Sequence, residues 1–448
     1  MPDHAADYNP PHYLAMNRSV AADGMVRMED CNLKKVGMTM MKYIGVYDDS
    51  GISVHGRIVR DGEAAVLTWT GSFVEIFVKA TELYIDIEGP YELHENWIAV
   101  EIDGELFARQ LLPKERTRIC LFRNVNPDKV TRVRVIKEVQ AMSMDSMHCL
   151  RVYGFETDGE TAAAADYYTR YGGSADKLKI EFIGDSVTSG EGTYGARPEE
   201  EWISMYFGHT RSYPYYVSKA LDADYRIVSQ SGWGVYSSWD NMVSCNIPDH
   251  YEEVCSVLIR EKEDSACSEC DTDSSDIGAA DSGSVCSPTG FGAPFFENYD
   301  FEAWKPDFIV CNLGTNDDGA FHNPGFTDPV TGEYHKLRMD SEDGISGSVY
   351  NPDDLATVRN AVYEFMKKLR RCNPGAYIIW AFGILGDSLR PAIEGGITDF
   401  VEETGDGRAM YLPITNTNGD TVGSRMHPGV KAHLIAADEI MSCIREHM

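Results

Sequence analysis

The sequence predicts two fold classes in one chain, a β-sandwich followed by a three-layer α/β/α unit. Three observations predict it. Between Gly51 and about Glu156, apolar residues fall in short runs separated by turn formers, with no helical period. After about Lys177, strand-like apolar runs alternate with helix-like ones, the signature of a parallel sheet covered on both faces. At 448 residues the chain is long for one domain and suits two. A jelly-roll-like sandwich is therefore placed in residues 1–160 and an α/β domain in residues 175–448.

Residues 1 to about 40 carry Pro, Asn and Met without period and read as an arm or edge segment. The sandwich strands are read at 65–69, 74–78, 83–87, 97–102, 117–122, 130–139 and 150–155, with Asp103-Gly104 as one of the turns. Carbohydrate binding, shaping one wall of a cleft, oligomerisation and plain packing are the roles left open for this domain. Residues 159–174 form a linker or connecting helix. Strands of the second domain are read at 177–184, 225–229, 308–313, 376–382 and 410–414, and helices at 213–223, 355–372 and 430–448. In the middle helix Val358, Val362, Phe365, Met366 and Leu369 share one face.

Two insertions interrupt this unit. Residues 261–290 hold eight acidic residues and one lysine among Ser, Gly and Cys, which reads as a mobile solvated loop. Its Cys267, Cys270 and Cys286 lack a second pair or a histidine at ligand spacing, so no metal is expected there. Residues 319–351 follow a strand end and should wall an active site, with His322, His335, Phe326 and Tyr334 inside them. Composition adds exclusions. A net charge of −31 argues against nucleic acid or anionic membrane as partner, and no apolar run approaches the roughly 20 residues of a membrane span. Eleven cysteines without framework spacing, and an N-terminus without a secretion signal, suggest reduced thiols and a cytoplasmic home. No cofactor is implied, and oligomerisation is left open.

The chemistry concentrates at strand ends. Gly184-Asp185-Ser186 stops a buried strand abruptly and places a serine hydroxyl at its tip. Thr188 stands where the nucleophile elbow of α/β-hydrolases needs its second glycine, so this is a different turn. Ser229–Gly234 (SQSGWG), Gly314-Thr315-Asn316-Asp317 and His427-Pro428-Gly429 follow in order. Together these blocks resemble the signatures of the SGNH (GDSL-type) hydrolases. The resemblance implies a flavodoxin-like α/β/α domain with Ser186 as nucleophile and His427 as base. Its oxyanion hole would be the amides of Ser186 and Gly234 (Gly232 is the alternative) and the side chain of Asn316.

One block departs from that pattern. The family's aspartate three residues before the histidine is Ser424 here, so a backbone carbonyl, Ser424 or Asp420 must orient the ring, as in a Ser-His dyad. A sandwich ahead of an SGNH domain lacking this aspartate is similar to carbohydrate esterase family 2. That resemblance implies an acetylesterase removing O-acetyl groups from plant-derived oligosaccharides of mannan or xylan type. Tyr194, Trp202 and Trp233 are candidate sugar contacts. A lipase, lysophospholipase or thioesterase of the same fold and a non-catalytic glycan-binding protein are the competing readings.

Overall fold

The computed structural model describes residues 40–142, 145–256, 297–342 and 345–448. Apart from Met40, the N-terminal arm and the acidic insertion with its three cysteines lie outside the described residues. The first strands are β1 (Lys42–Gly45), β2 (Ile52–His55), β3 (Ile58–Asp61), β4 (Ala64–Leu67), β5 (Phe73–Lys79) and β6 (Glu82–Glu88). They are followed by β7 (Trp97–Ile102), β8 (Glu105–Leu111), β9 (Thr117–Arg123), β10 (Thr131–Lys137), β11 (Leu150–Thr157) and β12 (Glu160–Thr161). All pair antiparallel in two sheets, ordered β3-β4-β11-β6-β9 with β1 on β11, and β12-β5-β10-β7-β8 with β2 on β5. Alternation builds the sandwich core. Val74, Ile76 and Val78 of β5 meet Leu83, Ile85 and Ile87 of β6 between the sheets.

The other face of the second sheet is also covered, which accounts for the nearly continuous burial of β5 and β10. Phe73, Ala99 and Ile136 join a cluster with Ile180, Tyr213, Tyr215 and Tyr225 of the following unit. Buried and half-buried polar pairs rivet the seam. Arg57 reaches Glu181 at 3.1 Å, His55 Nδ1 meets Asp224 at 2.8 Å, and the Tyr215 hydroxyl donates to Glu101 at 3.0 Å.

The α/β unit is a five-stranded parallel sheet of β13 (Lys179–Gly184), β14 (Asp224–Ser229), β15 (Phe308–Asn312), β20 (Tyr377–Phe382) and β21 (Ala409–Pro413). Two small hairpins, β16–β17 (Phe326–Thr327 with Tyr334–His335) and β18–β19 (Met339–Glu342 with Ile345–Tyr350), fall within the insertion after β15. The order β14-β13-β15-β20-β21 is the flavodoxin-like one, and its direction reverses between β13 and β15. Ligand sites of such sheets lie at the strands' carboxyl ends at that switch point. Helices Tyr213–Ala220 and Val430–His447 pack together on one side, and Pro352–Cys372 and Arg390–Thr404 on the other. The helix Arg390–Thr404 is absent from the sequence expectation, because Gly395-Gly396 reads as a break. Structurally those glycines allow close packing, since a Cβ at Gly396 would lie 2.5 Å from the Arg359 carbonyl of the neighbouring helix.

Candidate active site

Ser186 opens the short helix Ser186–Ser189 directly after β13. Asp185 caps it, accepting the Val187 amide at 2.9 Å. The Asp185 carboxyl is pushed up to about 7 by complete burial and by the nearby charges of Asp317 and Glu191. Thr188 is locked in the turn by a 2.8 Å bond to the Tyr213 hydroxyl. These contacts fix the backbone that carries the serine.

The serine side chain meets His427. Ser186 Oγ lies 3.0 Å from His427 Nε2, and His427 Nδ1 lies 2.9 Å from the Arg425 carbonyl. A carbonyl only accepts, so Nδ1 carries the hydrogen and a neutral ring leaves Nε2 free to take the serine proton. Neither side-chain candidate for orienting the ring does so. Ser424 Oγ donates to the Tyr194 carbonyl at 2.7 Å, since its side chain points into the neighbouring loop. Asp420 is exposed, and its main-chain carbonyl accepts the Arg197 guanidinium at 3.1 Å on the far side of the loop. The histidine and serine loops interlock through Gly192, whose φ of +83° suits glycine and whose missing Cβ would meet the His427 Cβ at 2.5 Å.

The Asn316 block follows β15 and is tied to the nucleophile turn. Asn316 Nδ2 donates to the Trp233 carbonyl at 2.9 Å and lies 3.2 Å from Asp185 Oδ2. Both its hydrogens are thus engaged. Asp317 accepts the amides of Val235, Tyr236 and Ser237 at 2.8, 2.8 and 3.2 Å, holding the glycine turn against β15's end. Gly234 forms a parallel bridge with Asn246, its carbonyl accepting the Ile247 amide at 3.1 Å. Gly232, at φ +84°, forms the preceding corner.

The three aromatic candidates fare differently. Trp233 is buried against His250, with ring centroids 4.6 Å apart, so it is a core residue and not a sugar platform. Tyr194 is also unavailable for stacking, because Arg109 and Arg211 lie 4.0 and 3.8 Å from its ring centre. Trp202 is half-buried between His94 and Phe207. The sequence reading missed Trp239, which is 50% exposed. Its amide donates to the Gly232 carbonyl at 3.0 Å, and its Cβ would lie 3.3 Å from one added at Gly319, in the helix that carries Asn316. Its position five residues beyond the SQSGWG block was the available signal.

The sandwich domain reaches the site through the segment after β10. Glu138 receives the His209 amide on its carbonyl at 3.1 Å, and Gln140 Oε1 receives the Ser231 amide at 2.9 Å. Asp145 gathers the amides of Glu92, Leu93 and His94 at 2.8–3.1 Å, shaping the loop against which Trp202 packs. Among the described residues no group of three or more His, Cys, Asp or Glu forms a metal cluster.

A flavodoxin-like sheet with the Ser, Gly, Asn and His blocks at its carboxyl edge defines the SGNH class of hydrolase folds. Comparison narrows the class. Residues 54–165 match the family model described as "Carbohydrate esterase 2 N-terminal". An acetyl xylan esterase from the rumen bacterium Butyrivibrio proteoclasticus is 35% identical in sequence, superposes with a TM-score of 0.78, and covers 91% of this chain and 98% of its own. The chain belongs to carbohydrate esterase family 2.

Two curated relatives carry the word esterase in their names. A cellulase/esterase of Acetivibrio thermocellus is 21% identical over 412 residues, 90% of this chain and 40% of its own. An acetylxylan esterase / glucomannan deacetylase of Cellvibrio japonicus is 24% identical over 272 residues, 60% of this chain and 57% of its own. The chain thus spans about half the length of these two relatives.

Proposed function

We propose that this chain is a serine esterase that removes O-acetyl groups from plant-derived oligosaccharides of xylan or mannan type, using a Ser186–His427 dyad. The single observation that carries the reading is the 3.0 Å contact between Ser186 Oγ and His427 Nε2, with Nδ1 held by a main-chain carbonyl at 2.9 Å. Ser186 Oγ attacks the acetyl carbonyl as its proton passes to His427 Nε2. The tetrahedral oxyanion is met by the Ser186 amide, an amide of the Gly232–Gly234 turn and Asn316 Nδ2. Collapse breaks the ester bond, and His427 returns its proton to the departing sugar hydroxyl. Water, deprotonated by the same histidine, then frees acetate from the serine.

Carbohydrate as the substrate class is supported by Trp239, which offers a half-exposed indole beside the glycine turn. An intracellular site of action remains part of the proposal, supported by the free thiols of Cys120, Cys149, Cys311, Cys372 and Cys443. Hydrolysis of acetyl and octanoyl esters of one alcohol tests the acyl preference. The proposal expects the acetyl ester to dominate kcat/KM. Preference for octanoyl would move the chain to a lipase or thioesterase role, and sugar binding without hydrolysis to a glycan-binding one.

A further inference from the structure

We propose that Glu191 is the positioning residue that stands in for the absent carboxylate, acting on His427 through Arg425. The inference rests on the dyad reading above and extends it to a residue outside the four blocks. Glu191 is wholly buried, in the loop that leaves the nucleophile helix. Its Oε1 pairs with Arg425 Nε at 2.7 Å, and its Oε2 accepts the Ser231 hydroxyl at 2.6 Å. The same Oε2 lies 3.8 Å from His427 Nε2. One side chain therefore spans the nucleophile loop, the glycine turn and the histidine loop.

Arg425 is where this matters. Its carbonyl holds His427 Nδ1–H, and its backbone is left-handed, with φ 53° and ψ 30°. Met426 follows with φ 57°. Two consecutive non-glycine residues in this region are unfavourable unless their surroundings impose them. The imposing contacts are the Glu191 ion pair, the Arg425 amide on the Glu199 carbonyl at 2.7 Å, and the guanidinium on the Glu200 carbonyl. Of these, only the Glu191 pair brings charge. A triad aspartate both orients the imidazole and faces the imidazolium with negative charge. Here the two tasks are divided: the Arg425 carbonyl orients the ring, and the Glu191 carboxylate locks that carbonyl and supplies the nearby charge.

The test compares Glu191→Gln, Arg425→Met, Arg425→Lys and the Gln/Met double variant on an aryl acetate. Rates are divided by active sites titrated with a fluorophosphonate, so misfolded protein does not count. The expected result is a fall in kcat of roughly ten- to a hundredfold for Glu191→Gln and for Arg425→Met, with KM within about threefold. The double variant should lose no more than the worse single, since one relay breaks once, and Arg425→Lys should keep most activity. Wild-type kcat per site in Glu191→Gln, or a double loss equal to the product of the singles, would overturn the relay. Should Glu191→Gln fail to fold, equal activity of Arg425→Met and Arg425→Lys overturns it instead. An inactive wild type would count against the dyad reading, and is thereby told apart from a failure of this inference.

Discussion

Ser186 differs from an ordinary surface serine because it is buried in a turn held by specific hydrogen bonds. Asp185 and Thr188 hold that turn, Gly192 lets the histidine loop approach, and His427 Nε2 sits 3.0 Å from the hydroxyl. Replacing Gly192 by alanine drives a Cβ to within 2.5 Å of the His427 Cβ at a φ of +83°. We expect that substitution to lower kcat at least tenfold, by separating base from nucleophile, while folding persists; esterase assays beside a thermal melt check this. Trp239 makes a separable prediction. Trp239→Ala should raise KM for acetylated oligosaccharides about five- to tenfold, the worth of one aromatic contact, and leave an aryl acetate unaffected. Equal effects on both substrates would remove the residue from the sugar site.

Among elements, the end of β15 governs the site, because the helix Thr315–His322 that follows it both presents Asn316 and anchors the glycine turn through Asp317. Asp317→Ala strands three amides that a buried carboxylate had satisfied. The expected cost is about 3 kcal/mol in chemical denaturation, with loss of activity that added ligand does not restore. The four blocks were legible in the sequence because chemistry at strand ends demands particular residue types next to apolar runs. Which of a backbone carbonyl, Ser424 and Asp420 orients His427 was left open in the sequence, and it is the Arg425 carbonyl that meets Nδ1. A main-chain carbonyl leaves no residue type behind, and the left-handed turn at Arg425 and Met426 carries none of the glycine that usually marks one. Trp233 misled for a related reason. An aromatic in a glycine-rich turn reads alike whether it faces solvent or, as here, the core beneath His250. The edge strand β8 escaped notice because Phe107 is 69% exposed, so its apolar residues do not alternate inward.

At the scale of the whole molecule, the sandwich acts as a second wall of the α/β unit, bound by polar pairs that composition alone does not disclose. Burial raises the Asp224 carboxyl, but the hydrogen bond and charge of His55 and the bond from Trp304 outweigh it and hold it at about 2. A carboxyl held below its usual range stabilises the fold above about pH 4 and gives that up as the pH falls toward 2. Asp224→Asn should therefore cost on the order of 2 kcal/mol near pH 5, and the gap from wild type should close between about pH 4 and 2 in denaturant unfolding. A gap that persists at pH 2 would mean the pair contributes through packing alone.

The Ser186–His427 esterase stands or falls on acetate release from acetylated xylo- and manno-oligosaccharides by wild type, Ser186→Ala and His427→Ala. It should turn over substrate as wild type and lose on the order of 10⁶-fold in each variant. Acetate released equally by wild type and Ser186→Ala, or by none of the three proteins, would contradict it.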